Sequence, residues 1–486
     1  MKVLKGHINK IQSKWHNMPL GVKVSTAYAV CSILQRCLSF ITLPLFTRML
    51  TTEQYGQLTI YSSWQGFLSI FLTLNLAYGT FSTAMAKFEN DRDGYIASVE
   101  GICVFLTSLF LLLYLPFREF WNFCFQMPTR LILLMVVELL CSTAILLWSG
   151  KKRFEFKYVG VIAVTLLNSI VSPIVAYFLV INSADKGYAR IIGFAIVHIC
   201  IGGAFFIFNA VRGKKLFDRT YWRYALGFNV PLLVYYLSQV VFNQSDRIMI
   251  SHMVGTDKAA IYGVAYSLSM VLTFVLNAIN KSYVPWLYEK IKKKDLSANQ
   301  KVSLGIAGFM AVILSGVIWL SPEVIRIMAG KQYAEAMFVV PPVAISLLLL
   351  FYAQLSGNIL FYFEKKDGLI KPSIYAALIN LILNWIFIRI FGYLAAAFTT
   401  LLSFAVFAYM LHVSAKYALK ENDITESVYD YKGLIIIFTL FCGLSVVGAI
   451  LYDMMFLRLL IVICLFIALI VKRKVFFKYL KLLKGD

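Results

Sequence analysis

The sequence predicts an all-α polytopic membrane protein of about fourteen transmembrane helices, built as two six-helix halves plus two C-terminal helices, with both termini cytoplasmic. Three observations predict it. The 486 residues are 60% hydrophobic and only 14% charged, with a mean hydropathy of +0.76, whereas a soluble domain carries about 25% charged residues. Apolar runs long enough to span a bilayer recur from end to end. Lys and Arg alternate between dense and sparse loops.

The spans read in order as 23–46, 57–79, 95–116, 129–149, 159–181, 188–209, 224–252, 258–280, 303–321, 339–362, 371–391, 393–415, 432–452 and 455–471. Residues 1–22 are a basic cytoplasmic N-terminus with no apolar core and small-residue cleavage site, so the first span is expected to act as the insertion signal. Residues 23–209 form the first six-helix bundle, 210–223 a cytoplasmic linker and 224–415 the second bundle. Two additional helices occupy 416–471, and 472–486 is a basic tail. No loop is long enough to hold a soluble domain.

The repeat rests on two offsets. Tyr55-Gly56 follows the first span and Tyr262-Gly263 follows the seventh, 207 residues later. Gly187-Tyr188 opens the sixth span and Gly392-Tyr393 the twelfth, 205 residues later. An even number of helices per half makes the repeats parallel, about an axis along the membrane normal.

The net charge of +22 does not call for nucleic acid. Roughly 34 of the Lys and Arg fall on one side and about nine on the other, the asymmetry that orients a membrane protein with its basic side inward. The eight cysteines lie mostly in apolar runs, Cys124 excepted, and no CxxC occurs, so neither a disulfide framework nor a metal site is expected. No GxxxxGK[ST] loop is present, which excludes ATP hydrolysis of that kind, and no cofactor is implied.

The stretch from Tyr224 to Val254 is apolar enough to span, yet holds Asn229, Pro231, Gln239, Asn243, Gln244, Asp246 and Arg247. Ionisable groups in a span cost at least about 2.5–3.5 kcal/mol each, so they face protein or a wet cavity. Pro231 is expected to break the helix there.

Three sets of residues carry a family resemblance. Leu43-Pro44-Leu45 is followed by Thr47-Arg48-Met49-Leu50 and Glu53-Gln54-Tyr55-Gly56. Pro231-Leu232-Leu233 precedes Ser245-Asp246-Arg247-Ile248-Met249-Ile250 and Ile261-Tyr262-Gly263. Gly392-Tyr393-Leu394-Ala395-Ala396-Ala397 leads to Thr399-Thr400. In order and spacing the chain resembles the polysaccharide-export flippases, the O-antigen and other lipid-linked oligosaccharide translocases. They share a superfamily with multidrug and toxic-compound extrusion (MATE) transporters and lipid II flippases. The resemblance implies a flippase, not an enzyme, of the bacterial inner membrane. It would move a polyprenyl-pyrophosphate-linked glycan from the cytoplasmic to the outer leaflet by alternating access. Implied partners are that lipid, the surrounding membrane lipids and other glycan-assembly proteins. A monomer is expected, because two halves suffice to form a cavity.

Such a substrate needs cations for its phosphates and amides, hydroxyls and rings for its sugars. Arg36, about 13 residues or roughly 20 Å into the first span, is the leading phosphate ligand, with Gln35 beside it. The bland alternative pairs Arg36 with Glu100 or Glu138. Asp246 and Arg247 lie about 100° apart on the seventh span, and Arg247 could equally anchor the outer interface. Arg389 reads as a snorkelling end residue. Gln239, Asn243, Asn280, Asn380 and Asn384 complete the substrate-binding candidates, Asn380 and Asn384 sharing a face at i, i+4. Interhelical hydrogen bonding is the ordinary explanation of such amides. Glu100 and Glu138 could take up protons and couple transport, or simply partner an Arg. His198 and His412 read as packed or hydrogen-bonded groups.

A drug or cation antiporter of the same fold and a lipid II-type flippase are the alternatives. A membrane glycan polymerase or ligase would be expected to have a large outer loop with catalytic groups, and the outer loops here, about 117–128 and 322–338, are short.

Overall fold

The computed structural model describes residues 19–78, 81–293, 295–424 and 426–471. The basic segments expected before residue 19 and after 471 lie outside the described residues. Among the described residues the chain is helical with no strand.

The long helices are α1 (Leu20–Met49), α2 (Thr52–Thr73), α3 (Arg92–Tyr114), α4 (Thr129–Phe154), α5 (Tyr158–Ile181) and α6 (Lys186–Gly213). They continue as α7 (Arg219–Asn229), α8 (Leu233–Met253), α9 (Thr256–Lys292), α10 (Leu296–Trp319) and α11 (Val340–Tyr362). The last four are α12 (Asp367–Phe391), α13 (Ala395–Glu421), α14 (Tyr431–Ile450) and α15 (Met455–Val471).

Local chemistry sets several of these boundaries. Thr51 and Gln54 form a reciprocal capping box at the start of α2, each side chain satisfying the other's backbone N–H. Asp185, Asp218 and Asp430 accept backbone N–H bonds at the starts of α6, α7 and α14. Pro231, with no N–H to give, lies in the break between α7 and α8, where the axis turns by 55°.

Eleven of the described helices are long and apolar enough to cross a membrane, or twelve if α7 and α8 count as one bent span. The two other expected spans, 57–79 and 455–471, fall on α2 and α15. Helix α2 is diluted by Gln57, Thr59, Ser62, Ser63, Gln65 and Ser69, and its Thr59 and Ser63 hydroxyls return to carbonyls one turn back.

The chain divides into two compact units, Met1–Leu237 and Ser238–Asp486, with the boundary inside α8. Residues expected as a linker and as the opening of the second half therefore pack with the first unit. Tyr221 and Ala225 of α7 join the core of Tyr95, Ile96 and Val99 on α3. A second core of this unit brings Tyr61 and Leu68 of α2 against Met135 and Leu139 of α4 and Ile191 of α6. Small residues let α6 approach its neighbours closely. A Cβ on Gly193 would lie 2.4 Å from Ala176 Cα, and one on Gly202 would lie 2.4 Å from the Cys141 carbonyl oxygen. In the second unit, Phe242, Leu349, Ala376, Ala377 and Phe404 knit α8, α11, α12 and α13 together.

Candidate functional site

Each unit encloses a carboxylate that the sequence placed in a span. In the second unit, Asp246 is 2% exposed. Tyr262 Oη of α9 donates to its Oδ2 at 2.6 Å, Thr400 Oγ1 of α13 donates to Oδ2 at 2.9 Å, and Asn384 Nδ2 of α12 donates to Oδ1 at 2.7 Å. Asn384 and Asn380 are both fully buried. They are joined at 3.1 Å, Ser245 donates to Asn380 Oδ1 at 3.3 Å, and Thr399 donates to Asn384 Oδ1. Four helices thus contribute to one polar cluster. The Ala395-Ala396-Ala397 run at the start of α13 is buried, and its small side chains let Thr399 and Thr400 reach α12 and α8.

Arg247 points away from this cluster. Its guanidinium lies 4.3 Å from the centre of the Tyr266 ring and donates to Asn243 O and Gln244 Oε1. Asp246 and Arg247 therefore serve different surroundings, as their 100° separation on a helix requires. Tyr266 donates onward to Asn243 Oδ1 at 3.3 Å.

Beside these residues lies a cavity of about 310 Å³ within the second unit. Gln239, Asn243, Thr273, Asn277, Gln354 and Ser373 supply its polar lining, and Phe242, Phe404 and Phe407 its rings. Asn280 donates to Gln354 Oε1 at 3.1 Å and accepts from Asn358 at 3.0 Å, fixing the orientation of one wall. Gln239 donates to Ser373 at 3.3 Å.

In the first unit, Tyr61 Oη donates to Glu138 Oε2 at 2.7 Å and His198 Nδ1 lies 2.6 Å from Glu138 Oε1. Glu100 accepts from Asn209 Nδ2 at 2.7 Å. Glu100 and Glu138 thus take hydrogen bonds from an amide, a phenol and an imidazole, and Arg190 lies within electrostatic range of Glu138. His198 is bonded, as its ordinary reading had it.

Gln35 and Arg36 are exposed, near the middle of the 30-residue α1. Arg389 stacks on Trp385 at 4.4 Å near the end of α12. The nine substrate-binding candidates thus fall into separate places. Gln35 and Arg36 lie on an open helix face, Gln239 and Asn243 line the cavity, Asn280 braces its wall, Arg247 stacks beside it, and Asp246, Asn380 and Asn384 form the sealed cluster.

Sequence reasoning missed several participants. Tyr262, Thr399 and Thr400 stood among the resemblance residues but were not taken as site residues, and Tyr61 gave no signal, because a hydroxyl in an apolar span announces itself only when its acceptor is known. Arg190 was also missed. It lies one face along from His198, at i, i+4 and i+8 with Phe194 between, and that spacing is the signal that could have found it.

The family described as Polysaccharide biosynthesis protein matches residues 22–290. Two curated relatives from Haemophilus influenzae each align over 381 residues, 74% of this chain and 88% of the relative. They are Lsg locus putative protein 1, at 23% identity, and an uncharacterized membrane protein, at 20%. Among solved structures, lipid II flippase MurJ in an inward closed conformation superposes with a TM-score of 0.70 at 15% identity, over 92% of this chain and 99% of that one. An inward-facing multidrug resistance MATE family transporter of the MOP superfamily gives 0.61 at 11% identity, over 83% and 100%. At these identities the likeness is one of fold. The apolar helices and the relatives together make this a multi-pass protein of the bacterial inner membrane.

Proposed function

The chain belongs to the polysaccharide biosynthesis protein family, and on that premise we propose that it flips a polyprenyl-pyrophosphate-linked oligosaccharide. The cargo would be an O-antigen, capsule or exopolysaccharide repeat unit, carried from the cytoplasmic to the outer leaflet by alternating access. The family and the fold neighbours support a membrane transporter of the flippase kind, and to that the proposal adds the lipid-linked glycan as cargo. It includes fourteen spans, two six-helix halves with two added helices, and both termini in the cytoplasm.

The observation that carries this reading is the exposed Arg36 near the middle of a membrane helix. A guanidinium at that depth would cost at least about 2.5–3.5 kcal/mol against lipid, so a hydrated path carrying an anionic cargo would stabilise it. A guanidinium donates two bonds at once to a phosphate. Gln35 adds an amide next to it. The cavity of the second unit supports the sugar half of the reading, since amides with aromatic rings suit hydroxylated rings better than ions.

The cation antiporter fits less well. No carboxylate is among the described residues that line the cavity. Asp246 and Glu138 are enclosed by their own donors. Asp246, Asn380 and Asn384 accordingly act on transport through the packing of four helices, and Gln239, Asn243 and Asn280 through the cavity.

The test is reconstitution in liposomes with a labelled polyprenyl-pyrophosphate oligosaccharide. Intact protein should move the lipid between leaflets, Arg36→Ala should lose most of that movement, and Arg36→Lys should restore part of it. Proton-coupled efflux of organic cations, with no movement of the glycan lipid, would overturn the reading.

A further inference from the structure

Glu138 is buried, with 5% of its side chain exposed, while its partner His198 is 28% exposed. One short hydrogen bond therefore joins an enclosed carboxylate on α4 to an imidazole on α6 that still reaches the surroundings. Tyr61, from α2, holds the other carboxylate oxygen. A buried ion pair is weak evidence for stability alone, because desolvation offsets its attraction. Imidazole is the side chain whose charge ordinarily changes near neutral pH.

The neighbours supply a balancing charge. Arg190, Phe194 and His198 recur every four residues on one face of α6. The Arg190 guanidinium lies 3.2 Å from the centre of the Phe194 ring and 4.2 Å from that of Phe46 on α1, and the Phe194 ring meets His198 edge-on at 6.4 Å. Arg190 also lies within electrostatic range of Glu138 and Tyr55. Cys141 on α4 and Cys200 on α6 are further titratable groups near the pair. Glu100 of α3 is held by Asn209, three turns further along α6, and α5 carries only Tyr158 and Tyr177.

We propose that the His198–Glu138 pair is a proton-binding site of the first unit, loaded through the open imidazole and coupled to transport by its ties to α2, α4 and α6. The coupling half rests on the flippase reading above. In the empty state a neutral imidazole keeps Nδ1–H toward Glu138, and the carboxylate is balanced by Arg190. Uptake places one proton from water on Nε2, giving imidazolium against carboxylate and adding one positive charge to the cluster. Release returns that proton to water. The charge between α4 and α6 changes in each cycle, while Tyr61 keeps its bond to Glu138. Asp246 in the second unit is held by the hydroxyls of Tyr262 and Thr400 and the amide of Asn384, with Arg247 within electrostatic range, and none of these donors is an imidazole.

Two measurements on the full-length protein test this. In proteoliposomes carrying the labelled glycan lipid, an imposed pH gradient should speed transport several-fold in intact protein. That ratio should fall to unity in Glu138→Gln and in His198→Gln, the second of which leaves the Tyr61–Glu138 bond in place should the first fold poorly. A full gradient response in either folded variant overturns the coupling. Independently, pH-difference infrared spectra of purified protein should show an imidazole titration that is lost in His198→Gln and displaced in Glu138→Gln. Spectra unchanged in both variants overturn the proton site. If intact protein moves no glycan lipid, the flippase reading falls, and the infrared result still decides the site.

Discussion

Asn384 Nδ2 on α12 donates to Asp246 Oδ1 on α8 at 2.7 Å. With Tyr262 and Thr400 on the other oxygen, the carboxylate holds α8, α9, α12 and α13 at one point. Removing one partner from such a cluster is costly because the others stay buried without an acceptor, at about 1–3 kcal/mol per unsatisfied group. Asp246→Ala should therefore lower the Tm of purified protein by several degrees and reduce its yield. Asp246→Asn, which keeps the shape and one acceptor, should fall between. An alanine variant as stable as the intact protein would show that the cluster does not hold these helices together.

Helix α6 owes its place to glycine. A Cβ on Gly202 would meet the Cys141 carbonyl at 2.4 Å, and that backbone cannot swing aside as a flexible side chain could. Overpacking of this kind costs about 1–3 kcal/mol. Gly202→Ala should destabilise the first unit and loosen the His198–Glu138 contact. Gly203→Ala, whose Cβ would lie 3.9 Å from Cys141 Sγ, should be nearly neutral. Equal melting of the two variants would contradict the close approach seen here.

Glu335, in the turn Lys331–Phe338, accepts from Lys258 at 2.7 Å and from Tyr393 at 2.6 Å. The Lys258 bond first, then Tyr393, holds its carboxyl below the ordinary carboxylate range. A group depressed on folding contributes stability above its unfolded value, about 4.3 for Glu, and loses it as pH falls through the folded value. Glu335 is half-exposed, so the effect is small. The Tm difference between intact protein and Glu335→Gln should be present at neutral pH and shrink below about pH 4. A difference that grows in acid would reverse the assignment.

Much of the fold was legible because a bilayer leaves few options: apolar length sets the spans and Pro231 marks the 55° break between α7 and α8. The unit boundary was not legible. It depends on Tyr221 and Ala225 finding the α3 core, and such a contact leaves no periodic trace in the sequence. In the candidate site, the i, i+4 spacing of Asn380 and Asn384 correctly put both on one face. Which acceptor they would meet was hidden, since it lies more than a hundred residues away. Glu138 was visible as an acid in a span, but its choice of Tyr61 and His198 was set by the packing of α2 and α6.

The cavity of the second unit offers the most direct check of the sugar path. Thr273 on α9 faces it, in company with Asn277 and Gln354. A phenyl ring introduced there would enter a space of about 310 Å³ that Phe404 and Phe407 also line. Burying additional apolar surface at roughly 25 cal/mol per Å² offsets the lost hydroxyl, so Thr273→Phe should melt at or above the temperature of the intact protein. Transport of the labelled glycan lipid in proteoliposomes should nevertheless drop about tenfold, since each 1.4 kcal/mol added to a passage barrier slows it by that factor. A stable variant that transports at the full rate would place the cavity off the path. The Arg36 measurements would then be left to locate the route.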